Sequence, residues 1–454
     1  MPRYEYSDEK SEKFWEIEVK GTSYEVRFGR IGTNGSTQSK AFSSADEARQ
    51  AADKQIASKL KKGYQKASSP DEGEVISNTL PRNARLEAQI HAKPLGIAGW
   101  KAYAKWLAEF DAPRAELIEL ELEYDKSPSS SLKRKRNALY DQHHDDWLGP
   151  VLLEGLKGGD RDEPSLKLEW RRGFIYSARI SYPWDASGPK GFELLEALLV
   201  SPSARFLHEL VIGAMESDTV NYERALTLIK DVGRLSSLRR LHLGDFTYQE
   251  CEISWATVGD VSICLDAFPN LEYLKVHGGG IYFSKKIKHE ALQELCLETG
   301  GLPDDAVKVL CKMNLPSLHT LEVWLGTDEY GGDSSIASLK PFFKNKNLPA
   351  LKNLGLQNSD YQDQIALALL ESPLLNKLHT INLSMGTMRD IGGGAILENK
   401  AKLKHLKGID LSRNFISKPM VKKLKTAFSS IKLTDMEEPY PDGEEDFYYV
   451  SVGE

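Results

Sequence analysis

Between residues 207 and 411 one short pattern, Leu-x-x-Leu-x-Leu, returns at nearly even intervals, and it leaves the chain few ways to fold. The copies are Leu207-Leu210-Ile212, Leu238-Leu241-Leu243, Leu271-Leu274-Val276, Leu292-Leu295-Leu297, Leu318-Leu321-Val323, Leu351-Leu354-Leu356, Leu378-Ile381-Leu383 and Leu406-Ile409-Leu411. From Leu210 to Ile409, seven intervals cover 199 residues, about 28 residues each. Residues two apart on a strand point to one side, so the last two apolar positions of each copy enter a common core, and the first joins them from the preceding turn. A unit this short cannot bury such a face alone, so copies have to stack. Stacking sets the strands side by side as a parallel sheet, and amphipathic stretches such as 304–312 and 418–428 supply helices that cover it from behind. The fold class this predicts is α/β, a solenoid of parallel strands with outer helices.

The pattern resembles leucine-rich repeats, and Ser412-Arg413-Asn414-Phe415-Ile416 is similar to that family's asparagine step, in which a side-chain amide satisfies the turning backbone. The resemblance implies an array over residues 165–434. Leu168, Trp170, Phe174 and Ile175 read as a lead-in strand continuing the sheet. Residues 435–454 hold eight acidic residues together with Tyr440, Phe447, Tyr448 and Tyr449. They form either an acidic tail or a cap whose aromatics pack on the final repeat, and the apolar cluster 447–450 favours the cap.

On each strand the residues flanking and separating the last two apolar positions point away from the core, onto the concave face. These are Arg240, His242, Tyr273, Lys275, His277, Glu294, Cys296, Glu298, Glu322, Trp324, Asn353, Gln357, Asn382, Asp410 and Ser412. Basic and imidazole groups precede an acidic block, and amides follow it. Tyr273 and Trp324 are of the kind that anchors interfaces, so a protein or peptide is the expected ligand. Cys296 makes a poor nucleophile, because Glu294 and Glu298 beside it would raise its pKa.

At the other end, Trp15, Ile17 and Val19 alternate with Glu16 and Glu18, and Tyr24, Val26 and Phe28 alternate with Glu25 and Arg27, as in half-buried strands. Gly21 turns the first pair, and Asn34-Gly35 turns the second toward a strand ending near Phe42. Ser44 and Glu47 make a capping box for a helix lined by Ala48, Ala52, Ile56 and Leu60, with Gly63 as its stop. Residues 1–67 thus form a small α+β domain. The stretches 13–17, 28–35 and 59–64 resemble the WGR domain, with Phe28 where the family has its tryptophan. The resemblance implies a surface at Phe28 and Arg30 used for DNA ends or neighbouring domains. Lys59, Lys61 and Lys62 are either a solvated helix end or a phosphate patch. This segment carries 13 Lys and Arg against 10 Asp and Glu, in a chain of net charge −7. The module is also similar to that of bacterial regulators of the molybdate-metabolism type.

Residues 68–81 are polar and broken by Pro70 and Gly73, which marks a linker. From 82 to 160 apolar residues recur three and four apart (Leu86 and Ile90; Trp100, Tyr103, Trp106 and Leu107; Leu117, Leu120 and Tyr124), the pattern of packed amphipathic helices. Residues 103–107 and 111–118 resemble a helical repeat-companion domain of bacterial proteins, although Lys105 replaces its usual acidic residue. The implied role is to cap the exposed end of the array. The basic run 133–136 reads as a solvated helix start. His143, His144, Asp145 and Asp146 are consecutive on a helix and cannot converge on one ion.

Functional classes narrow accordingly. No apolar run approaches the roughly 20 residues of a membrane span, and the N-terminus lacks a secretory signal, so the cytoplasm is expected. Cys251, Cys264, Cys296 and Cys311 lack zinc-site spacing and read as free thiols. Without a phosphate loop or nucleophile elbow, neither cofactor, metal nor small-molecule substrate is expected. The leading expectation is a non-enzymatic scaffold, with a protein ligand on the concave face and nucleic acid or protein docked by the WGR module. The alternative is a repeat-bearing ligase or transferase with an unrecognised site.

Overall fold

The computed structural model describes residues 3–8, 11–30, 35–62, 64–66, 80–157, 164–182, 188–216, 220–232, 235–442 and 445–454. The chain divides into two compact units, Met1–Thr79 and Leu80–Glu454.

In the first unit, β1 (Arg3–Asp8), β2 (Ser11–Lys20), β3 (Ser23–Arg30), β4 (Ser36–Ala41) and β5 (Gln65–Lys66) form an antiparallel sheet of order β4-β3-β2-β1-β5. Tyr4, Trp15, Ile17, Tyr24 and Val26 from the sheet share a core with Ala52 of α1 (Ala45–Lys61). Three strands were expected; β1 and β5 extend one edge, the second too short to show a period. The β2 alternation needs correcting as well. Val19 is 36% exposed, whereas Phe14 and Glu16 on the other face are buried, Glu16 against Arg27 at 2.7 Å. At the start of α1 the Glu47 amide donates to Ser44 Oγ at 3.2 Å, but the Glu47 carboxylate accepts from the Ser43 amide at 3.3 Å, one residue before the expected cap. Asn34 and Gly63 lie outside the described residues.

Among the described residues, five helices open the second unit: α2 (Ala84–Ala92), α3 (Ile97–Leu107), α4 (Ala112–Lys126), α5 (Ser130–Leu148) and α6 (Pro150–Gly155). Asp111 caps α4 with Pro113 in its first turn, Ser129 caps α5, and Gly149 at φ +75° ends α5 just before Pro150. Trp100, Tyr103, Leu107 and Ile118 of these helices share a core with Phe174 and Phe206 of the array. Arg114, 1% exposed, pins this junction. Its Nε donates to Asp111 at 2.8 Å and its Nη1 to the Gly173 carbonyl at 2.8 Å, and the guanidinium lies 4.6 Å over Trp147. Lys133, Arg134 and Lys135 are exposed at the start of α5, while His143 stacks on Trp147 and His144 packs at a tilt against Tyr140.

The array begins with β6 (Leu166–Arg171) and β7 (Phe174–Ile180), an antiparallel hairpin turning on Arg172 at φ +53° and Gly173 at φ +73°. The single lead-in strand is therefore corrected to two. After α7 (Gly191–Val200) comes β8 (Glu209–Ile212), then α8 (Glu223–Val232), β9 (Arg240–Leu243), a side strand β10 (Thr257–Asp260), α9 (Ser262–Ala267) and β11 (Tyr273–His277). A second side strand β12 (Gly279–Tyr282) pairs with β10, and β13 (Glu294–Glu298), α10 (Asp304–Leu310), β14 (Thr320–Gly326), α11 (Ile336–Leu339) and β15 (Asn353–Ser359) continue the sequence. The last elements are α12 (Gln362–Leu370), β16 (Thr380–Asn382), α13 (Asp390–Glu398), α14 (Lys400–Leu403), β17 (Gly408–Asp410), α15 (Lys418–Ala427) and β18 (Ile431–Lys432). From β7 onward the main-sheet strands are parallel, each beside the next in chain order, with β6 at one edge and β18 at the other.

Register follows the leucine pattern. Leu210, Leu241, Leu274, Leu295, Leu321, Leu354, Ile381 and Ile409 lie opposite one another on successive strands, each 3% exposed or less. Asn414, fully buried, accepts from the Met388 amide at 2.9 Å and donates to the carbonyls of Leu383 and Leu411 at 2.9 and 3.0 Å, linking two repeats.

The C-terminal segment does more than cap the final repeat. After the hairpin β19 (Tyr440–Asp442) and β20 (Glu445–Phe447), residues 448–454 run back along the edge formed by the strands' C-terminal ends. Tyr448 meets Phe415 edge-on at 5.1 Å, the Ser451 amide donates to the Met385 carbonyl at 2.9 Å, and Tyr330 Oη donates to Glu454 at 2.9 Å. Asn358 holds Val452 by both main-chain groups, donating to its carbonyl at 2.5 Å and accepting from its amide at 2.9 Å. The backbone is left-handed at Asn358, Met385 and Arg413, two residues past the last leucine of three successive repeats, which turns their polar groups toward this strap. A Cβ on Gly300 would stand 2.2 Å from the Gly453 carbonyl, so the strap seats only where the array has no side chain.

Candidate functional site

Strand register arranges the concave side chains into rows. One row runs Ser177, Glu209, Arg240, Tyr273, Glu294, Thr320, Asn353, Thr380, Gly408. A second runs Arg179, Val211, His242, Lys275, Cys296, Glu322, Gly355, Asn382, Asp410, Lys432. In a third, His277 faces Glu298 and Trp324 faces Gln357.

Cross-strand pairing uses up much of the charge that the sequence seemed to leave open. Arg240 reaches Glu209 at 3.4 Å and lies 4.0 Å over the Tyr273 ring. Glu298 accepts from Lys275 at 2.9 Å and from His277 at 2.8 Å. Burial alone would raise Glu298, but those hydrogen bonds and charges outweigh it and hold the carboxyl at about 2. His242 is pushed down to about 4, first by burial and then by Lys275, with Asp245 and Glu298 opposing. Its Nε2 is buried without a hydrogen-bond partner. The amide end is zipped too: Asn353 donates to Thr320 at 3.0 Å and accepts from Thr380 at 2.8 Å, Asn382 donates to Gln357, and Lys432 pairs with Asp410 at 3.0 Å. Gln357, expected on the open face, is buried.

The centre differs. Cys296 sits between Glu298 at 3.5 Å and Glu322 at 3.9 Å, and its thiol is pushed far up by burial first and then by those two carboxylates. The expectation of an inert thiol named Glu294; the neighbour in the structure is Glu322, from the next strand. Glu322 is raised by burial and by Glu298, and among the described residues no cation lies within salt-bridge range of it or of Glu294. Gly355 stands opposite Glu322 on the next strand, where a Cβ would come within 3.3 Å of the Glu322 side chain. Half-buried Tyr273 and Trp324 stand on either side, the latter 6.3 Å from the His277 ring and nearly perpendicular to it.

In the N-terminal unit, Phe28 lies opposite Trp15, and Arg30 opposite Lys13, on the sheet face that carries the core. Trp15 is 3% exposed and Phe28 36%, so the face passes from core to surface there. Lys59 spans the transition, its Nζ 5.3 Å over Trp15 and 4.8 Å over Tyr64. Its pKa is lowered by burial first, then by Lys62 and Lys13. The fold thus gathers Phe28, Arg30, Lys59 and Lys62, and adds Lys13, which sequence reasoning missed because only strand pairing brings it in. Lys61, two residues beyond Lys59, points about 200° around the helix and stands apart.

A small α+β domain ahead of a parallel-sheet repeat array is the class of protein these features define. Residues 3–71 match the WGR domain family. The uncharacterized protein YfeS of Escherichia coli K12 is 46% identical over 63 residues, 14% of this chain and 26% of that protein. Protein YehF of the same organism is 35% identical over 119 residues, 24% of this chain and 43% of that one. The matches therefore span less than half the length of either relative. A crystal structure of a Bacteroides fragilis protein is 25% identical and covers 99% of both chains with a TM-score of 0.50, which extends the likeness to the array. Among the described residues no helix is long and apolar enough to cross a membrane, and all four cysteines are free thiols.

Proposed function

We propose that this protein is a non-enzymatic binding scaffold, taking a polypeptide on the concave face of its leucine-rich-repeat array and nucleic acid on its WGR domain. The observation that carries the first half is the acidic centre at Glu294 and Glu322, bracketed by Tyr273 and Trp324 in a sheet whose other charges are largely paired. A Lys or Arg side chain of the ligand fits this centre. It would relieve the crowding that raises Glu322, while the two aromatics cover its aliphatic stem. The second half rests on the WGR match and on the joining of Phe28 to the cations Lys13, Arg30, Lys59 and Lys62.

Capture of partners by the immobilised full chain, followed by affinity measurement, tests the concave site. Replacing both Tyr273 and Trp324 by Ala is expected to weaken a captured polypeptide by about 2–4 kcal/mol without shifting the melting temperature. Equal affinity for the double variant would place the ligand elsewhere.

A further inference from the structure

The chain carries a net charge of −7, yet residues 340–432 hold 16 Lys and Arg against 6 Asp and Glu, a local +10. Repeat geometry concentrates part of this on one edge. His319, Lys352, His379 and Lys407 each precede the first concave residue of their strand, so they follow one another along the strands' N-terminal ends. Main-chain hydrogen bonds lock the order: the Lys352 amide to the His319 carbonyl at 2.9 Å, His379 to Lys352 at 2.6 Å and Lys407 to His379 at 2.6 Å. At about 4.8 Å per strand the row is roughly 14 Å long. Lys377 and His405, two residues before His379 and Lys407, widen it, and Lys404 extends it into solvent.

Counter-charge is missing from the 352–407 stretch of this edge among the described residues, although beyond His319 the row runs on through Gln293 to Glu272. Among the described residues no carboxylate lies within 4 Å of Lys352, Lys377, His379, Lys404, His405 or Lys407. Their polar contacts are carbonyls: Lys352 Nζ reaches that of Lys377 at 3.4 Å, Lys377 that of Leu348, and His405 that of Leu375 at 2.9 Å. Carbonyls satisfy hydrogen bonds but leave the charge standing. The groups oppose one another in consequence: Lys377 is lowered by burial and then by Lys352, and His379 by burial and then by Lys407, Lys352 and His405. Like charges held together work against folding, so chain stability does not account for them.

We propose that this basic edge is a second binding site, for the sugar-phosphate backbone of a nucleic acid. An acidic protein fits less well, because protein interfaces disfavour Lys at their centres and depend on aromatic, apolar or Arg anchors, and the row contains none of these. Repeated phosphates need only repeated point charges, which Lys supplies. The opposite edge of the same sheet, where Glu329, Glu437 and Glu454 lie along the strap, is acidic and would hold the polyanion to one side.

The site lies in a different unit from Arg30, so the two can fail separately. The test is fluorescence anisotropy of the full chain with labelled 20-nucleotide single-stranded DNA, duplex DNA and single-stranded RNA, from 50 to 200 mM salt. Lys352, Lys404 and Lys407 are replaced together by Gln, and in a companion variant by Arg. The Gln variant should bind at least one probe about tenfold more weakly at 50 mM salt, and its slope of log affinity against log salt should flatten by about 2–3. The Arg variant should keep wild-type binding. Because Lys404 and Lys407 are exposed, the pair Lys404→Gln/Lys407→Gln serves if the triple variant melts early, with a flattening of about 2. Unchanged affinity and slope in a folded Gln variant would overturn the proposal, as would binding lost only with Arg30→Ala. So would absence of binding to every probe, or tighter binding to polyglutamate than to the nucleic acids.

Discussion

His277 and Glu298 stand directly opposite on adjacent strands, with the imidazole Nδ1 2.8 Å from the carboxylate. The same carboxylate takes Lys275 from that strand, so one acidic side chain organises the basic half of the concave sheet.

Half-buried His242 and the paired Glu298 are expected to make stability depend on pH in two stages. Unfolded His242 takes a proton below its ordinary 6.5, but the folded imidazole resists until about 4, so folding loses stability as pH falls between those values. Unfolded Glu298 takes its proton near 4.5 and the folded carboxyl only near 2, so its contribution is present above 4.5 and disappears toward 2. Denaturant titrations at pH 7, 5 and 3 should show His242→Gln with a shallower loss between 6.5 and 4, and Glu298→Gln with a shallower loss below 4.5. His91, His208 and His289 are lowered by burial as well, so His242→Gln should remove part of the upper stage. Curves parallel to wild type would show that these two groups do not set the dependence.

Asn358→Ala removes both hydrogen bonds to Val452 and leaves those main-chain groups with no side chain to meet. A cost of about 1–3 kcal/mol is expected. Amide hydrogen exchange should accelerate in residues 448–454 while the leucine-bearing strands keep their protection. Exchange that rises equally throughout would mean the strap is not a separable element.

In the WGR domain, Arg30→Ala should weaken binding of a DNA duplex at low salt, and Phe28→Ala should reduce any preference for blunt or nicked DNA over a closed circle. Lys13→Ala should act like Arg30→Ala and Lys61→Ala should have little effect, since the first lies across from Arg30 and the second points elsewhere. Anisotropy at two salt concentrations separates these outcomes. Equal losses at Lys61 and Lys13 would show that bulk charge, and not this patch, attracts DNA.

The leucine register was legible because each copy places buried groups two apart on one strand, a relation contained within six residues. Cross-strand chemistry was not. The ties from Glu298 to Lys275 and His277 join residues 23 and 21 positions apart, and they exist only once the strands are aligned. For the same reason the face read as bipolar turned out to be substantially self-paired, and Gln357 turned out buried. The N-terminal WGR domain showed in its motif, but Lys13 joins the patch through strand pairing alone. The basic edge was visible as composition in residues 340–432, yet a count along the sequence cannot tell an edge from a scatter until the repeat assigns His319, Lys352, His379 and Lys407 to equivalent places.

A stacked array assembles from contacts between neighbours and is expected to fray from its ends. The strap breaks that locality, since Asn358 and Val452 are 94 residues apart and the strap touches five successive repeats, from Gly300 to Phe415. Its seat does not exist until those repeats have stacked, so it is expected to close last, after the folding transition state. Contacts of that kind leave the folding rate unchanged and slow unfolding. The strap therefore behaves as a latch on the array's final repeats, setting how long they stay closed more than how quickly they form.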